Sequence, residues 1–359
     1  VGTLATFDQM FSGIRKSLKS SAQRAVDLAE RNLDDELAIR LLKALFLVKY
    51  VDDFKATARN LTVLVYDHFG LDLPDLHRRV QESLNLLEAQ TYIQRNGNVY
   101  EYLTDLEQDM EKEIKNTDVS SVDVTHRLRE ILSSDVIRSK KVRYEKNKQD
   151  FAFGYKLDDH SIGNQYDLSL HFITPAYEYG FEDVRLQSSG RDELREVLEP
   201  HARLMTDLGL LLRTEKYIKQ KQTSSLSASE QRILQHKAAQ KSERERELVE
   251  RVRDAVSNAR LIINATEVQS SSQEAQARVI GAFQELISRT YAQLKLLGDR
   301  VYSEQQITDA ANPERSGAID GTVFPELANA ADEVLSYVIQ RERLGERATV
   351  KSIVENFQA

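Results

Sequence analysis

Apolar residues recur every three or four positions along much of this chain, which is the pattern of amphipathic helices. Between Leu71 and Leu103 the helical pattern gives way to an alternating one. The helical part has Pro74 near its first turn, where the missing amide donor is harmless. Its apolar side chains form one stripe: Leu76, Val80, Leu84 and Leu87. The pattern therefore predicts a helix followed by a β-hairpin.

The hairpin is indicated by two short runs rich in Tyr, Val and Ile on either side of Asn96-Gly97. Asn-Gly accepts the positive φ angles of a two-residue type I′ turn. With that turn Arg95 pairs with Asn98, and Ile93 falls opposite Tyr100.

Two more apolar stripes precede this unit and predict two further helices. Three helices and a hairpin make a winged helix, which we expect at residues 37–118 together with a trailing acidic helix. Many winged helices bind DNA, but acidic residues outnumber basic ones in this range, which disfavours contact with phosphates. Two uses stay open: direct DNA contact, and protein contact or a rigid spacer.

The rest of the chain divides into four predicted regions. Residues 1–36 form a lead-in helix, and residues 119–148 form a connector helix with a basic end. Residues 149–220 form a small α/β domain, and residues 221–359 form a helical region that opens with the capping box Ser227-x-x-Glu230. The predicted fold class is mainly α, with a winged-helix domain, a small α/β domain and long helical segments.

Within the α/β domain, alternation at Leu168, Leu170 and Phe172 predicts a strand. Val184 with Leu186, and the run from Leu194 to Leu198, indicate further strands. A helix is expected to follow, from about residue 202 to residue 219.

The basic end of the connector helix is the candidate functional site. Its six cations stand against Glu145 alone, with Tyr144 among them. They are Arg138, Lys140, Lys141, Arg143, Lys146 and Lys148. Clustered cations with an aromatic residue can follow a phosphate backbone and stack a base. The same residues also suit a solvated helix end, where cations complement the helix dipole, so both interpretations stay open.

The composition narrows the function classes. A chain of 359 residues, 41% hydrophobic and 30% charged, is typical of a soluble protein with several cores. It contains no cysteine, which excludes disulfides and thiol chemistry and fits the expected cytoplasmic location. No apolar run approaches the length of a membrane span. The net charge of -8 argues against a generally basic nucleic-acid binder, although local patches survive that average.

Several catalytic motifs are missing from the sequence. A P-loop needs Lys after a glycine-rich turn, and none of the fourteen glycines is followed by Lys. The seven histidines are scattered, and only Asp158-Asp159-His160 suggests a metal site, which a polar loop explains equally well. We expect neither a metal site nor enzymatic activity in this chain.

Long strings of the sequence resemble one family. They include Leu45-Phe46-Leu47-Val48-Lys49-Tyr50-Val51-Asp52, Thr91-Tyr92-Ile93-Gln94-Arg95-Asn96-Gly97, Gly190-Arg191-Asp192-Glu193-Leu194-Arg195 and Phe283-Gln284-Glu285-Leu286-Ile287. The chain is similar, from about residue 35 to residue 300, to the large P-loop ATPases of bacterial BREX anti-phage systems, of the BrxC and PglY type. It resembles the part of such a protein that follows the ATPase core.

The resemblance implies a role in a multi-protein system that distinguishes self from phage DNA. ATP and magnesium are expected for the full-length protein, at a P-loop that precedes this segment, and no cofactor is expected within it. We expect a non-catalytic scaffold or coupling segment in the cytoplasm, with no membrane contact. Its expected partners are other BREX proteins, double-stranded DNA and a second copy of the chain. The alternatives are a pure protein assembly module and a winged-helix transcriptional regulator.

Overall fold

The computed structural model describes residues 4–18, 20–51, 53–201, 203–297, 303, 305 and 328–357. These residues are mostly helical, with a two-stranded sheet and a mixed seven-stranded sheet. The chain divides into two compact units, and each is built from two segments. The first unit comprises Val1–Arg127 and Arg203–Leu248, and the second comprises Leu128–Ala202 and Val249–Ala359. No helix in the described ranges is both long enough and apolar enough to cross a membrane.

The first unit begins with helices and a hairpin. Its elements are α1 (Gln9–Ile14), α2 (Ser20–Asn32), α3 (Glu36–Val48), α4 (Ala58–Leu64), α5 (Leu73–Ala89), β1 (Ile93–Asn96), β2 (Val99–Tyr102) and α6 (Asp105–Lys115). A short 3-10 turn at Arg15–Ser17 follows α1, so the predicted single lead-in helix is divided. The apolar stripes of α3 and α5 pack against each other in one core that includes Leu41, Leu45, Leu84 and Leu87.

Side-chain caps begin α3 and α4. The Asp35 carboxylate accepts a hydrogen bond from the Ala38 amide at 3.1 Å, before α3. The Thr57 hydroxyl accepts one from the Asn60 amide at 3.2 Å, before α4. Each cap satisfies an amide that would otherwise lack a partner at the helix start.

The hairpin lies where the sequence predicts it, but its turn differs. Asn96 pairs with Val99, so the turn residues are Gly97 and Asn98, and the expected Asn96-Gly97 turn is wrong. Gly97 has φ +55°, whereas Asn98 is not among the described residues with positive φ. Glycine with positive φ at the first of the two turn residues is the pattern of a type II′ turn. Each residue of β1 therefore faces a partner two positions further along β2 than predicted: Ile93–Tyr102, Gln94–Glu101 and Arg95–Tyr100.

The first unit is completed by long helices. They are α9 (Leu204–Lys221) and the first part of α10 (Ala228–Ser257). The predicted capping box is confirmed, because the Ser227 amide donates to Glu230 at 2.8 Å and the Glu230 amide to the Ser227 hydroxyl at 3.3 Å. A second apolar cluster joins α6, α9 and α10 through Ile114, Tyr217 and Leu234.

The second unit is built on the large sheet. Its strands are β3 (Lys141–Arg143), β4 (Asp150–Leu157), β5 (His160–Ile162), β6 (Leu168–Ile173), β7 (Glu193–Val197), β8 (Arg260–Ile263) and β9 (Thr266–Val268). Their order is β3-β4-β6-β7-β8-β9, with β5 paired to β4. β4, β6 and β7 are parallel, and the other pairs are antiparallel.

Helices complete the second unit. They are α7 (Ser121–Glu130, which begins in the first unit), α8 (Phe181–Gln187), α11 (Ala275–Thr290), α12 (Ala328–Arg343) and α13 (Val350–Phe357). Phe153 on β4 and Phe283 on α11 are buried with ring centroids 4.5 Å apart. The helix α11 therefore packs on one face of the sheet.

Two elements of this unit correct the sequence analysis. Val184 and Leu186, which were expected on a strand, lie in α8. The region predicted as wholly helical contains the hairpin β8–β9, whose turn residues Asn264 and Ala265 have φ +46° and +58°. Positive φ at both positions is the type I′ pattern that was expected near Gly97. The strands predicted around Leu170 and Leu194 are confirmed as β6 and β7.

Candidate nucleic-acid interface

The predicted cationic site lies on a strand and not at a helix end. The helix α7 ends at Glu130, a π-helical segment covers Ile131–Val136, and the chain then enters β3. The expected connector helix therefore does not reach the basic residues. The π-helical segment ends next to Arg138, whose Nε donates to the Asp135 carbonyl at 3.3 Å, so of the six cations only Arg138 contacts a helix end.

β3 is an edge strand, and its side chains alternate between exposed and buried positions. Lys141 and Arg143 are exposed, while Val142 between them is 2% exposed. Among the described strands β3 pairs only with β4, at Lys141–Ala152, Val142–Phe151 and Arg143–Asp150. The strand thus presents two cations along the edge of the sheet.

All six predicted site residues are exposed. Arg138 and Lys140 precede β3, and Lys146 and Lys148 lie in the turn between β3 and β4. Lys141 forms an ion pair with Asp150 at 2.5 Å, and this hydrogen bond lowers the pKa of the Asp150 carboxyl. Among the described residues no salt bridge reaches the other five cations, so most of the positive charge faces solvent.

The six-residue turn from 144 to 149 has a defined geometry. The Tyr144 amide donates to the Gln149 carbonyl at 2.7 Å, and the Lys148 amide donates to the Tyr144 carbonyl at 2.9 Å. Lys148 has φ +61°, and the buried Asn147 accepts from the Gln149 amide at 3.1 Å. These bonds hold Lys146 and Lys148 outside the turn.

Tyr144 is not available for stacking on a base. Its side chain is 5% exposed and packs edge to face against Phe151, with ring centroids 6.2 Å apart. Phe151 in turn contacts Tyr291 at 5.2 Å. The aromatic residue chosen from the sequence therefore belongs to the core.

A cavity of about 300 Å³ beside the basic run was not predicted from the sequence. It is lined in part by Lys140, Gly154, Asn164 and Tyr166. Tyr166 is 46% exposed, so it offers the aromatic surface that Tyr144 does not. The only sequence signal was a Tyr in a polar stretch with Gly163 and Asn164, and nothing in that pattern connects it with Lys140.

A buried group of charges surrounds Glu193 on β7. The Glu193 carboxylate accepts from Arg195 Nε at 2.7 Å and from Lys156 Nζ at 3.0 Å, and His171 Nδ1 lies 3.5 Å away. Burial alone would raise the pKa of Glu193, but hydrogen bonds and charges from His171, Lys156 and Arg195 outweigh it and hold the pKa well below its usual range. This arrangement ties β4, β6 and β7 together.

In the first unit, α10 and α6 cover one side of the hairpin β1–β2. The buried Lys237 of α10 donates to Gln94 and forms an ion pair with the buried Glu111. Gln240 donates to Glu101 at 2.9 Å. This part of the hairpin surface is therefore occupied within the unit.

The turn of the hairpin is also covered. The Arg244 guanidinium donates to the Asn96 side chain at 2.7 Å, and a Cβ added at Gly97 would lie 2.5 Å from the Glu247 carboxylate. Arg95 forms an ion pair with Asp207 of α9 at 3.5 Å.

The Asp158-Asp159-His160 stretch makes intramolecular contacts. The Asp158 carboxylate accepts from the Thr174 amide at 2.8 Å and from its hydroxyl at 3.0 Å. Asp159 accepts from the Tyr177 hydroxyl at 2.8 Å. In the parts of the chain that the structure describes, no group of His, Asp and Glu residues is arranged to hold a metal ion.

The architecture is that of a helical unit with a hairpin, linked to an α/β unit on a mixed sheet. Residues 117–286, which include every strand of the large sheet, match the family described as "BREX ATP-binding protein BrxC 4th domain with six-stranded beta sheet". The description agrees with the six-strand path from β3 to β9. The match identifies residues 117–286 as a segment of the BrxC type, as the resemblance indicated. No solved structure matches it.

Proposed function

We propose that this chain is a non-catalytic scaffold and coupling segment of a BREX anti-phage ATPase, and that it contacts DNA through the basic edge of its α/β unit. The observation that carries the proposal is the set of six exposed cations on and around β3, five of them without a salt bridge among the described residues. Phosphate neutralisation supplies most nonspecific affinity for nucleic acid, and it needs solvent-facing cations of this kind. ATP and magnesium would bind to a different part of the full-length protein.

A coupling role is supported by α10. This helix of 30 residues begins in the first unit and ends in the second. A continuous helix can carry a displacement from one end to the other, because hydrogen bonds join each of its turns to the next.

The three helices α3, α4 and α5 with the hairpin β1–β2 form, in this proposal, a winged helix that does not use its wing on DNA. Thr57 makes a single bridge to Val99, which adds the short third strand that accompanies many wings. The contacts of Lys237, Arg244 and Asp207 with the hairpin favour a structural use within the unit. The acidic balance of this region points the same way.

DNA binding across a range of salt concentrations tests the proposal. The triple variant Lys140→Glu, Lys141→Glu and Lys146→Glu should lose most affinity for duplex DNA. Its slope of log affinity against log salt should fall by up to about 3, because each phosphate contact contributes about 0.9.

A matched control changes three exposed lysines elsewhere: Lys112, Lys219 and Lys351, each to Glu. It carries the same change in net charge and should retain wild-type binding apart from a small general repulsion. Absence of binding at low salt, or an equal loss in both triple variants, would contradict the proposal.

A second candidate function is protein assembly through the first unit. Three apolar side chains around α4 and the start of α5 are largely exposed: Val63 at 67%, Phe69 at 69% and Leu73 at 52%. These three residues lie within eleven positions of the sequence, and exposed apolar residues that share one surface are typical of protein contacts. If a second copy is the partner, sedimentation should show a dimer that Phe69→Ser disrupts, and a monomer at all concentrations would argue against self-association.

A further inference from the structure

The cavity beside the basic run lies in a gap between two edge strands. β3 pairs with β4 up to Ala152, and β5 pairs with the same edge of β4 from Tyr155 onward. Phe153 and Gly154 lie between these pairings and line the cavity. The edge of the sheet is therefore interrupted by a hollow of about 300 Å³, at the lower end of the range for small-molecule sites.

The lining combines an aromatic surface, a cation and neutral hydrogen-bonding groups. Tyr166 is 46% exposed, and Lys140 is exposed without a salt bridge from the described residues. Ser134 and Asn164 also line the cavity, and their side chains form no hydrogen bond with the described residues. Ile162 adds apolar surface. A nucleotide needs these groups together: a ring to stack on, a cation for phosphate, and donors and acceptors for the base edge.

The walls of the cavity are held in place by the fold. The Tyr155 hydroxyl lies 2.7 Å from the carbonyls of Ile137 and Ser139, which fixes the segment before β3. The Phe153 amide donates to the Lys140 carbonyl at 3.2 Å. A Cβ at Gly154 would lie 3.0 Å from the Asn164 carbonyl, so glycine allows the loop that carries Tyr166 to approach β4. A site held in this way loses little entropy when it binds a ligand.

We propose that this cavity accepts one unpaired nucleotide of a single-stranded nucleic acid, with its base stacked on Tyr166 and its phosphate beside Lys140. The inference rests on the proposed function and makes it more specific. A paired base is held inside the duplex stack and cannot enter a cavity, so the site selects single strands or extruded bases. Further exposed cations at Lys141, Arg143 and Lys146 would bind the phosphates of neighbouring nucleotides, which favours a strand over a free nucleotide.

The test compares single-stranded DNA, duplex DNA and AMP as ligands of the full chain, by fluorescence anisotropy for the labelled DNAs and competition for AMP. Tyr166→Ala should weaken single-strand binding roughly 5- to 150-fold, the range for loss of one stacked base. Tyr166→Phe should bind like the wild type, because the ring remains. Duplex affinity should be the same in all three proteins.

Tyr179→Ala is the matched control, since Tyr179 is 44% exposed in the same unit and does not line the cavity. It should bind single strands like the wild type. Single-strand affinity that is unchanged in Tyr166→Ala, or a loss that Tyr179→Ala reproduces, would overturn the inference. AMP that competes as well as an oligonucleotide would also overturn it, in favour of a free-nucleotide site.

The two proposals fail in different ways. If neither form of DNA binds at low salt, the proposed function fails and this inference with it. If DNA binds and responds to charge reversal at Lys141 and Lys146 but not to Tyr166→Ala, only the nucleotide site is refuted.

Discussion

Replacing Glu196 by glutamine should stabilise the α/β unit, and increasingly so as the pH rises. Glu196 lies on β7 with none of its surface exposed, and neither carboxylate oxygen has a hydrogen-bond partner in the described part of the chain. Burial raises the pKa of Glu196 to about 8, against an opposing effect of the Arg278 charge. At neutral pH the folded protein therefore holds this carboxyl mainly in its protonated form.

The pH range and the size of the effect on stability follow from the pKa of Glu196 in the folded and unfolded states. The pKa of an unperturbed glutamate is 4.5, so between that pH and about pH 8 the folded state keeps a proton that the unfolded state releases. The contribution to stability is complete below the unfolded pKa and is lost as the pH rises towards the folded one. The loss is about 1.4 kcal/mol per pH unit, or about 5 kcal/mol over the whole interval. Glutamine does not titrate and avoids this loss.

Hydrogen exchange by mass spectrometry is the suitable assay, because peptides that contain β7 report on this unit alone. Urea unfolding followed by circular dichroism complements it, since the chain contains no tryptophan for fluorescence. After correction for intrinsic exchange rates, protection in β7 should decline from about pH 5 to pH 8 in the wild type and much less in Glu196→Gln.

Glu193→Gln provides the control on the same strand. Glu193 is equally buried but ion-paired with Lys156 and Arg195, so its removal should destabilise the unit at neutral pH. Because the pKa of Glu193 is lowered, its contribution is present above the unfolded pKa and lost only in acid. Parallel pH profiles for the wild type and Glu196→Gln would refute the reasoning, and would mean that Arg278 keeps Glu196 ionised.

Two further predictions concern the first unit. Lys237→Met should lower the free energy of unfolding by about 3–5 kcal/mol, because Glu111 is left charged and buried, and the double variant with Glu111→Leu should recover much of the loss in urea unfolding. If the double variant is no more stable than the single one, the ion pair is not the cause. Gly97→Ala should lower the free energy of unfolding by about 1–2 kcal/mol, because alanine disfavours the left-handed backbone at this position. Adding Glu247→Ala should remove the contact between the new Cβ and the Glu247 carboxylate but leave the backbone cost. An unchanged thermal unfolding temperature in Gly97→Ala would contradict the left-handed turn at Gly97.

Elements with a long apolar period were predictable from the sequence, and the short strands were not. The stripe from Leu76 to Leu87 spans several turns, so its helix α5 could be assigned, whereas β3 has only Val142 as a buried residue. The sequence around Val142 shows no preference for a strand by itself, and the strand forms because it pairs with β4. The positive charge of this run could be read from the sequence, but its extended backbone conformation depends on a tertiary contact.

The turn chemistry of the hairpins was partly misleading. Asn96-Gly97 has the composition of a type I′ turn, yet the register with Asn96 opposite Val99 puts glycine first. Asn264-Ala265 forms a type I′ turn although alanine rarely takes positive φ, so composition did not reveal it. The strands around each turn decided its register.

The candidate site shows the same limit. The six cations lie within eleven residues of sequence and could be found by counting, but three strands and a loop separate Lys140 from Tyr166. Only the folded sheet brings them to one cavity. Tyr144, adjacent in sequence, points into the core because β3 and its turn alternate their side chains.

The interleaving of the two units has a practical consequence for dissecting this protein. The chain leaves the large sheet after β7, supplies residues 203–248 to the first unit, and returns to pair β8 with β7. A single cut anywhere between those strands would separate paired neighbours and leave both halves with exposed apolar faces. A fragment meant to contain only the second unit should therefore join residues 128–202 to residues 249–359 through a linker in place of residues 203–248, and boundaries chosen by linear sequence alone should yield aggregating fragments.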